Sequence, residues 1–175
     1  MNRVLVWISV GFLLMLVLAC GGGSSSSSKS ATPTPGKPNI INDEVTVGKT
    51  VWKVTNVKAV RSIKGDYGTA DASAVFLLVD ASITNNGTQA ETLFSPKMNN
   101  GAGQEYEVST DFKVNMALGE FSCAAERINP GMVKWCRFVY DIPEPKPDDE
   151  TIYRLEVRDL GLFGDTTEIW LATKK

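Results

Sequence analysis

Ten consecutive residues near the end of the chain, Val133-Lys-Trp-Cys-Arg-Phe-Val-Tyr-Asp-Ile142, change character with a period of two. In an extended strand, successive side chains point to opposite faces. Cys136, Phe138, Tyr140 and Ile142 therefore share one face, and Trp135, Arg137, Val139 and Asp141 the other. Pro143-Glu-Pro-Lys-Pro147 ends the strand, because proline has no amide hydrogen for a ladder. The same rhythm governs the chain from about Asp43 onward. Val45-Thr-Val47 and the β-branched run Thr50 to Val60 read as strands. Ala74 to Thr84 is a nearly continuous apolar strand until Asp80, as expected of a central one. Asn85-Asn-Gly-Thr88 is expected to make a hairpin turn, with Glu91 to Met98 returning and Pro96 marking an edge or bulge.

A second turn, Asn99 to Gly103, leads into Gln104 to Val108. The four-residue spacing of Phe112 and Met116 predicts a helical turn within Asp111 to Leu118. Ile152 to Val157 and Thr167 to Leu171 supply the last strands. Seven or eight short strands with frequent turns, and no βαβ spacing, predict an all-β fold. The expected architecture is an immunoglobulin-like antiparallel β-sandwich over residues 44–175. A head of about 130 residues can build a two-layer core without further help.

The first twenty residues have a different character. Arg3 precedes an uncharged run from Val4 to Leu18, short for a membrane span but suited to a signal peptide. It closes on Val17-Leu-Ala-Cys20, which resembles the lipobox of bacterial lipoproteins. In that family the cysteine thiol receives diacylglycerol, and the chain is then cut just before it. The resemblance makes residues 1–19 the signal peptide and Cys20 the lipidation site. It implies a bacterial cell membrane location, facing the extracytoplasmic side. An uncleaved anchor or an ordinary signal peptide are the competing readings. Residues 20–43 begin Cys-Gly-Gly-Gly followed by five serines, then carry Pro33, Pro35 and Pro38 among small polar residues. That composition cannot bury apolar area and predicts a disordered tether with a reach of roughly 25–30 Å. Two acyl chains would hold it to the bilayer at about 0.8 kcal/mol per buried methylene.

The chain contains three cysteines. With Cys20 consumed by lipid, Cys123 and Cys136 form an even pair in an oxidising compartment and are expected to be a disulfide. Two free buried thiols or a redox couple are the alternatives, the latter lacking Cys-x-x-Cys spacing.

Ile83-Thr-Asn-Asn-Gly87, Asn100 to Tyr106 and Ile128-Asn-Pro-Gly-Met-Val133 carry a family resemblance over about Val45 to Leu171. The pattern is similar to a domain of unknown function common in bacterial surface lipoproteins. It has a telokin-like, immunoglobulin-type sandwich, also seen in secreted immunoprotective antigens. In that pattern, strand Leu78 to Ile83 ends in the Thr-Asn-Asn turn, and Asn129-Pro-Gly131 leads to Phe138 to Pro143. Neither the cysteine pair nor Trp135 belongs to it. The family carries no established catalytic residues, so none transfers.

Composition narrows the chemistry further. The chain has no histidine, which removes Ser-His-Asp and Cys-His catalysis and the commonest zinc sites. A net charge of −2 and a pI near 5.2 argue against a nucleic-acid partner. Asp148-Asp-Glu150 reads as a solvated turn, its spacing unlike a calcium loop. Gly101-Ala-Gly103 precedes a strand and is no nucleotide loop. No metal or cofactor is expected.

Trp135, predicted outward, with Trp52 and Trp170 in other strands, forms the candidate binding surface. The competing reading packs all three into the sandwich or along its edges. The expected function is a non-enzymatic, membrane-anchored interaction module of the cell envelope. The alternative is a small-ligand or glycan-binding lipoprotein, which would need a concave pocket lined by two of those tryptophans. An enzyme using carboxylates alone would need two convergent acids.

Overall fold

The strand read most clearly from the sequence is observed in full. The computed structural model describes residues 38–123, 125–144, 152–161 and 164–171, and Val133–Ile142 is one continuous strand. The segment read as a signal peptide, Cys20, nearly all of the stretch read as a tether and Asp148-Asp-Glu150 lie outside the described residues.

Among the described residues, eleven strands occur in the order β1 (Asn39–Ile40), β2 (Val45–Val47), β3 (Thr50–Gly65), β4 (Gly68–Asn85), β5 (Glu91–Thr92), β6 (Lys97–Asn100), β7 (Glu105–Tyr106), β8 (Arg127–Ile128), β9 (Val133–Ile142), β10 (Tyr153–Arg158) and β11 (Thr166–Leu171). A helix, α1 (Phe112–Leu118), and a 3-10 turn at Gly119–Phe121 separate β7 from β8. One sheet runs β2-β3-β4-β9, a second β1-β11-β10-β6-β7, and β5 pairs with β8 alone. The pairings are antiparallel except that of β1 with β11. The fold is an antiparallel β-sandwich, as the alternation implied. Within the stretch read as tether, Asn39–Ile40 forms β1, because it gains a ladder partner in β11.

The core lies between the two main sheets. Trp52, Val54, Leu77, Val79, Ala81, Ile83, Phe138 and Tyr140 face Met98, Leu155, Val157, Ile169 and Leu171. Each fully buried large apolar side chain contributes roughly 1.5–3 kcal/mol. A separate cluster explains the continuous apolar run of β4. Phe76 and Leu78, with Val139 of β9, point away from the main core and are roofed by Val114, Ala117 and Leu118 of α1.

The helical turn expected within Asp111 to Leu118 is present as α1, with Phe112 73% exposed and burial on Val114, Ala117 and Leu118. Two local expectations change. The returning strand expected over Glu91 to Met98 is broken by Pro96, leaving β5 and β6 in different sheets. Asn85 to Thr88 consequently makes no hairpin. β4 pairs only with β3 and β9, and the chain leaves its sheet at this turn.

Candidate functional site

The outward face of the β4–β9 pair is only half covered. Along the ladder Ser82 lies opposite Trp135, Asp80 opposite Arg137, and Leu78 opposite Val139. Helix α1 roofs the Leu78–Val139 end. Past Arg137 the face is open, and Trp135 is 56% exposed, with Met132 and Val133 exposed beside it.

Arg137 organises the boundary between the two halves. Its Nε donates to Asp80 Oδ1 at 2.6 Å and a terminal nitrogen donates to Oδ2 at 3.1 Å, a bidentate pair. Asn56 Nδ2 donates to Oδ2 at 3.1 Å from the neighbouring strand. Partial burial pushes the Asp80 carboxyl up. The hydrogen bonds from Arg137 and Asn56 outweigh that effect and hold it below its ordinary value. The same hydrogen bond to Asp80 raises Arg137, against a smaller opposing effect of burial. The guanidinium also lies 5.7 Å from the ring centroid of Phe121. Phe121 is held there covalently: Cys123, two residues on, is disulfide-bonded to Cys136 of β9, so the expected pair is formed.

Among the described residues, two hollows at the ends of β4 bear on the site. One, of about 460 Å³, lies between the β3–β4 turn and the end of α1, with Tyr67, Phe121 and Arg137 among its lining. The other, of about 290 Å³, lies at the opposite end of β4 beside Asn85 and Asp159. Its polar groups are engaged with one another. Asp159 Oδ1 accepts from Lys49 N at 3.1 Å, Thr50 Oγ1 at 2.6 Å and Leu160 N at 3.0 Å. These bonds clasp the start of β3 to the end of β10.

The three tryptophans do not share a surface. Trp135 stands outward as expected. Trp52 must be removed from the candidate surface: it is fully buried, its Nε1 donates to Arg158 O at 2.8 Å, and its ring packs 6.1 Å from Phe138. Trp170 is half-buried on β11 in the other sheet, with Arg154 over its ring at 5.0 Å. Neither hollow is lined by a tryptophan. The sequence reading passed over Phe121, Tyr67 and the Asp80–Arg137 pair. The disulfide was the available signal for Phe121, because joining Cys123 to Cys136 brings residue 121 beside β9.

Among the described residues, no three Cys, Asp or Glu side chains gather as a metal set. No helix among them is long and apolar enough to cross a membrane.

A two-sheet antiparallel sandwich with an α1 roof and an open aromatic face defines the class. The chain belongs to the family named for the domain of unknown function DUF4352, which matches residues 39–168. No curated protein matches the chain significantly.

Similar solved structures share the fold at low identity. The YjhA protein of Bacillus subtilis has a TM-score of 0.59 at 13% identity, over 76% of this chain and 99% of that one. An uncharacterised β-sandwich protein of Clostridium difficile has a TM-score of 0.53 at 17% identity, over 82% of this chain and 99% of that one. YcdA of Bacillus subtilis, a candidate lipoprotein, has a TM-score of 0.51 at 13% identity, over 74% of this chain and 38% of that one.

Proposed function

We propose that this chain is a non-enzymatic, lipid-anchored interaction module on the extracytoplasmic side of a bacterial cell membrane. Its docking surface for an envelope protein is the open half of the β4–β9 face. The observation that carries the docking reading is Trp135, 56% exposed on a rigid strand and next to the Arg137–Phe121 stack. Tryptophan and arginine are the residues most often found as binding anchors, and a strand presents them at little entropic cost. The anchoring rests on Val17-Leu-Ala-Cys20 and the polar tether behind it. The likeness in fold to YcdA fits this setting.

The alternative, a small-ligand or glycan-binding lipoprotein, is favoured by the exposed rings of Trp135 and Tyr67, the latter lining the larger of the two hollows.

Two measurements test the main reading. Metabolic labelling with a fatty-acid analogue should mark the wild type and leave Cys20→Ala unmarked; equal labelling refutes the anchor. A photocrosslinker at Val133, used in intact cells, should give a discrete adduct that Trp135→Ala abolishes. An adduct pattern indifferent to Trp135→Ala refutes the docking face.

A further inference from the structure

We propose that the hollow between the β3–β4 turn and the end of α1 is a saccharide site, in which a pyranose ring lies against Tyr67 and Phe121. This deepens the glycan reading above and rests on it.

The size is right: about 460 Å³ falls within the range of small-molecule pockets, about 300–1,000 Å³. The two aromatic rings are exposed, Tyr67 at 70% and Phe121 at 44%. Ile63 and Leu118 contribute an apolar floor. Lys64, Asp66 and Glu120 complete the lining, and their side chains make no hydrogen bond or ion pair among the described residues. The hollow therefore offers aromatic faces together with unused donors and acceptors.

That combination selects a ligand class. A pyranose has one face of C–H bonds, which packs on an aromatic ring, and a rim of hydroxyls, which donate to carboxylates and accept from an ammonium. Arg137 is already neutralised by Asp80, which leaves Lys64 against Asp66 and Glu120. The small negative excess disfavours a nucleotide or another polyanion. An extended peptide would want an open strand edge, whereas this hollow is bounded by a two-residue turn and a helix end.

The walls are pre-organised. A Cβ on Gly65 would lie 2.0 Å from the carbonyl oxygen of Ala117, so only glycine lets the hairpin sit directly on the helix backbone. Gly119 ends α1 at a φ of +56°, and a Cβ built on it would lie 4.0 Å from the Tyr67 ring. Phe121 is fixed by the Cys123–Cys136 bridge and by Arg137. A ligand would therefore meet little ordering cost in the protein.

The test uses the mature lipidated protein in detergent micelles on an oligosaccharide array, followed by calorimetric titration of the best-retained oligosaccharide. Tyr67→Ala and Phe121→Ala should each weaken binding about tenfold, the worth of one stacking contact. Tyr67→Phe should stay within about threefold of the wild type, and Trp135→Ala should have no effect. Binding that survives both alanine variants but is lost in Trp135→Ala overturns this site and leaves the glycan reading standing. Retention of no oligosaccharide overturns both.

Discussion

Asn85 Nδ2 donates a hydrogen bond of 2.8 Å to the carbonyl oxygen of Ile128, forty-three residues further along the chain. Both groups are buried, Asn85 at 1% exposure. The amide also donates to Gln89 O at 2.8 Å and accepts from Gly87 N at 2.8 Å. Its backbone completes the junction, with N donating to Met132 O at 3.2 Å and O accepting from Gly131 N at 2.7 Å. The Thr-Asn-Asn-Gly and Asn-Pro-Gly motifs are thus two sides of one hydrogen-bonded joint.

Replacing Asn85 should cost more than the few tenths typical of a loop residue. Asn85→Ala leaves two carbonyls without their donor and should destabilise the domain by about 2–4 kcal/mol, read from urea denaturation midpoints at constant slope. Asn85→Asp should be worse at pH 7 than at pH 4, because an ionised carboxylate faces two carbonyl oxygens while the protonated acid recovers a donor. A loss below about 0.5 kcal/mol for the alanine variant would mean the joint is dispensable.

Tyr140 has a comparable role in the core. Its fully buried hydroxyl donates to Pro96 O at 2.9 Å, and burial raises its ionisation well above the ordinary tyrosine value. For a group raised in the folded state, the linked stability is whole below the unfolded value, about pH 10, and falls as pH climbs beyond it. Tyr140→Phe should lose about 1 kcal/mol at pH 7 and show a shallower decline above pH 10. Denaturation series at pH 7 and pH 11 check both.

The Asp80–Arg137 pair behaves in the opposite sense. Asp80 is lowered in the folded state, so its contribution is present above the unfolded value, about pH 4, and disappears as pH falls through the lower folded value. Asp80→Asn should cost under about 1 kcal/mol at pH 7, since the pair is partly solvated. The difference from the wild type should vanish in strong acid. An acid-unfolding profile of the two proteins decides it.

Opening the Cys123–Cys136 bridge releases the segment that carries Phe121. The two residues are 13 apart in sequence, and a loop of that size is worth about 3 kcal/mol. Cys123→Ser should lower the unfolding free energy by about that amount and mobilise Phe121, measurable as lost amide protection over residues 119–123. Unchanged protection there would detach the bridge from the candidate site.

Strand identity was legible wherever one face is buried and the other wet, as in Val133–Ile142, where Cys136, Phe138, Tyr140 and Ile142 all point inward. Legibility failed where a second layer intervened. Val139 belongs to the solvent-side set by alternation yet is fully buried, because α1 packs on it. In α1 the four-residue pairing of Phe112 and Met116 signalled the helical turn but not its buried face. A seven-residue helix meets the periodicity test at too few positions, and docking decided that Val114, Ala117 and Leu118 are buried. Trp52 shows the same difficulty in reverse: a tryptophan can serve as core or as anchor, and the ladder decides which.

By itself the sequence determined the period-two backbone, the sandwich class and the even cysteine pair, because these follow from short-range chemistry: alternation, chain composition and thiol count. Only the tertiary structure decided which sheet each strand joins. It also set which half of the β4–β9 face stays open, and it placed Tyr67, Phe121 and Arg137 around one hollow. Those outcomes depend on contacts between residues scores of positions apart, such as Asp80 with Arg137 and Asn85 with Ile128. No local pattern encodes such contacts, since the free energy that selects them is gained only when the sheets pack together.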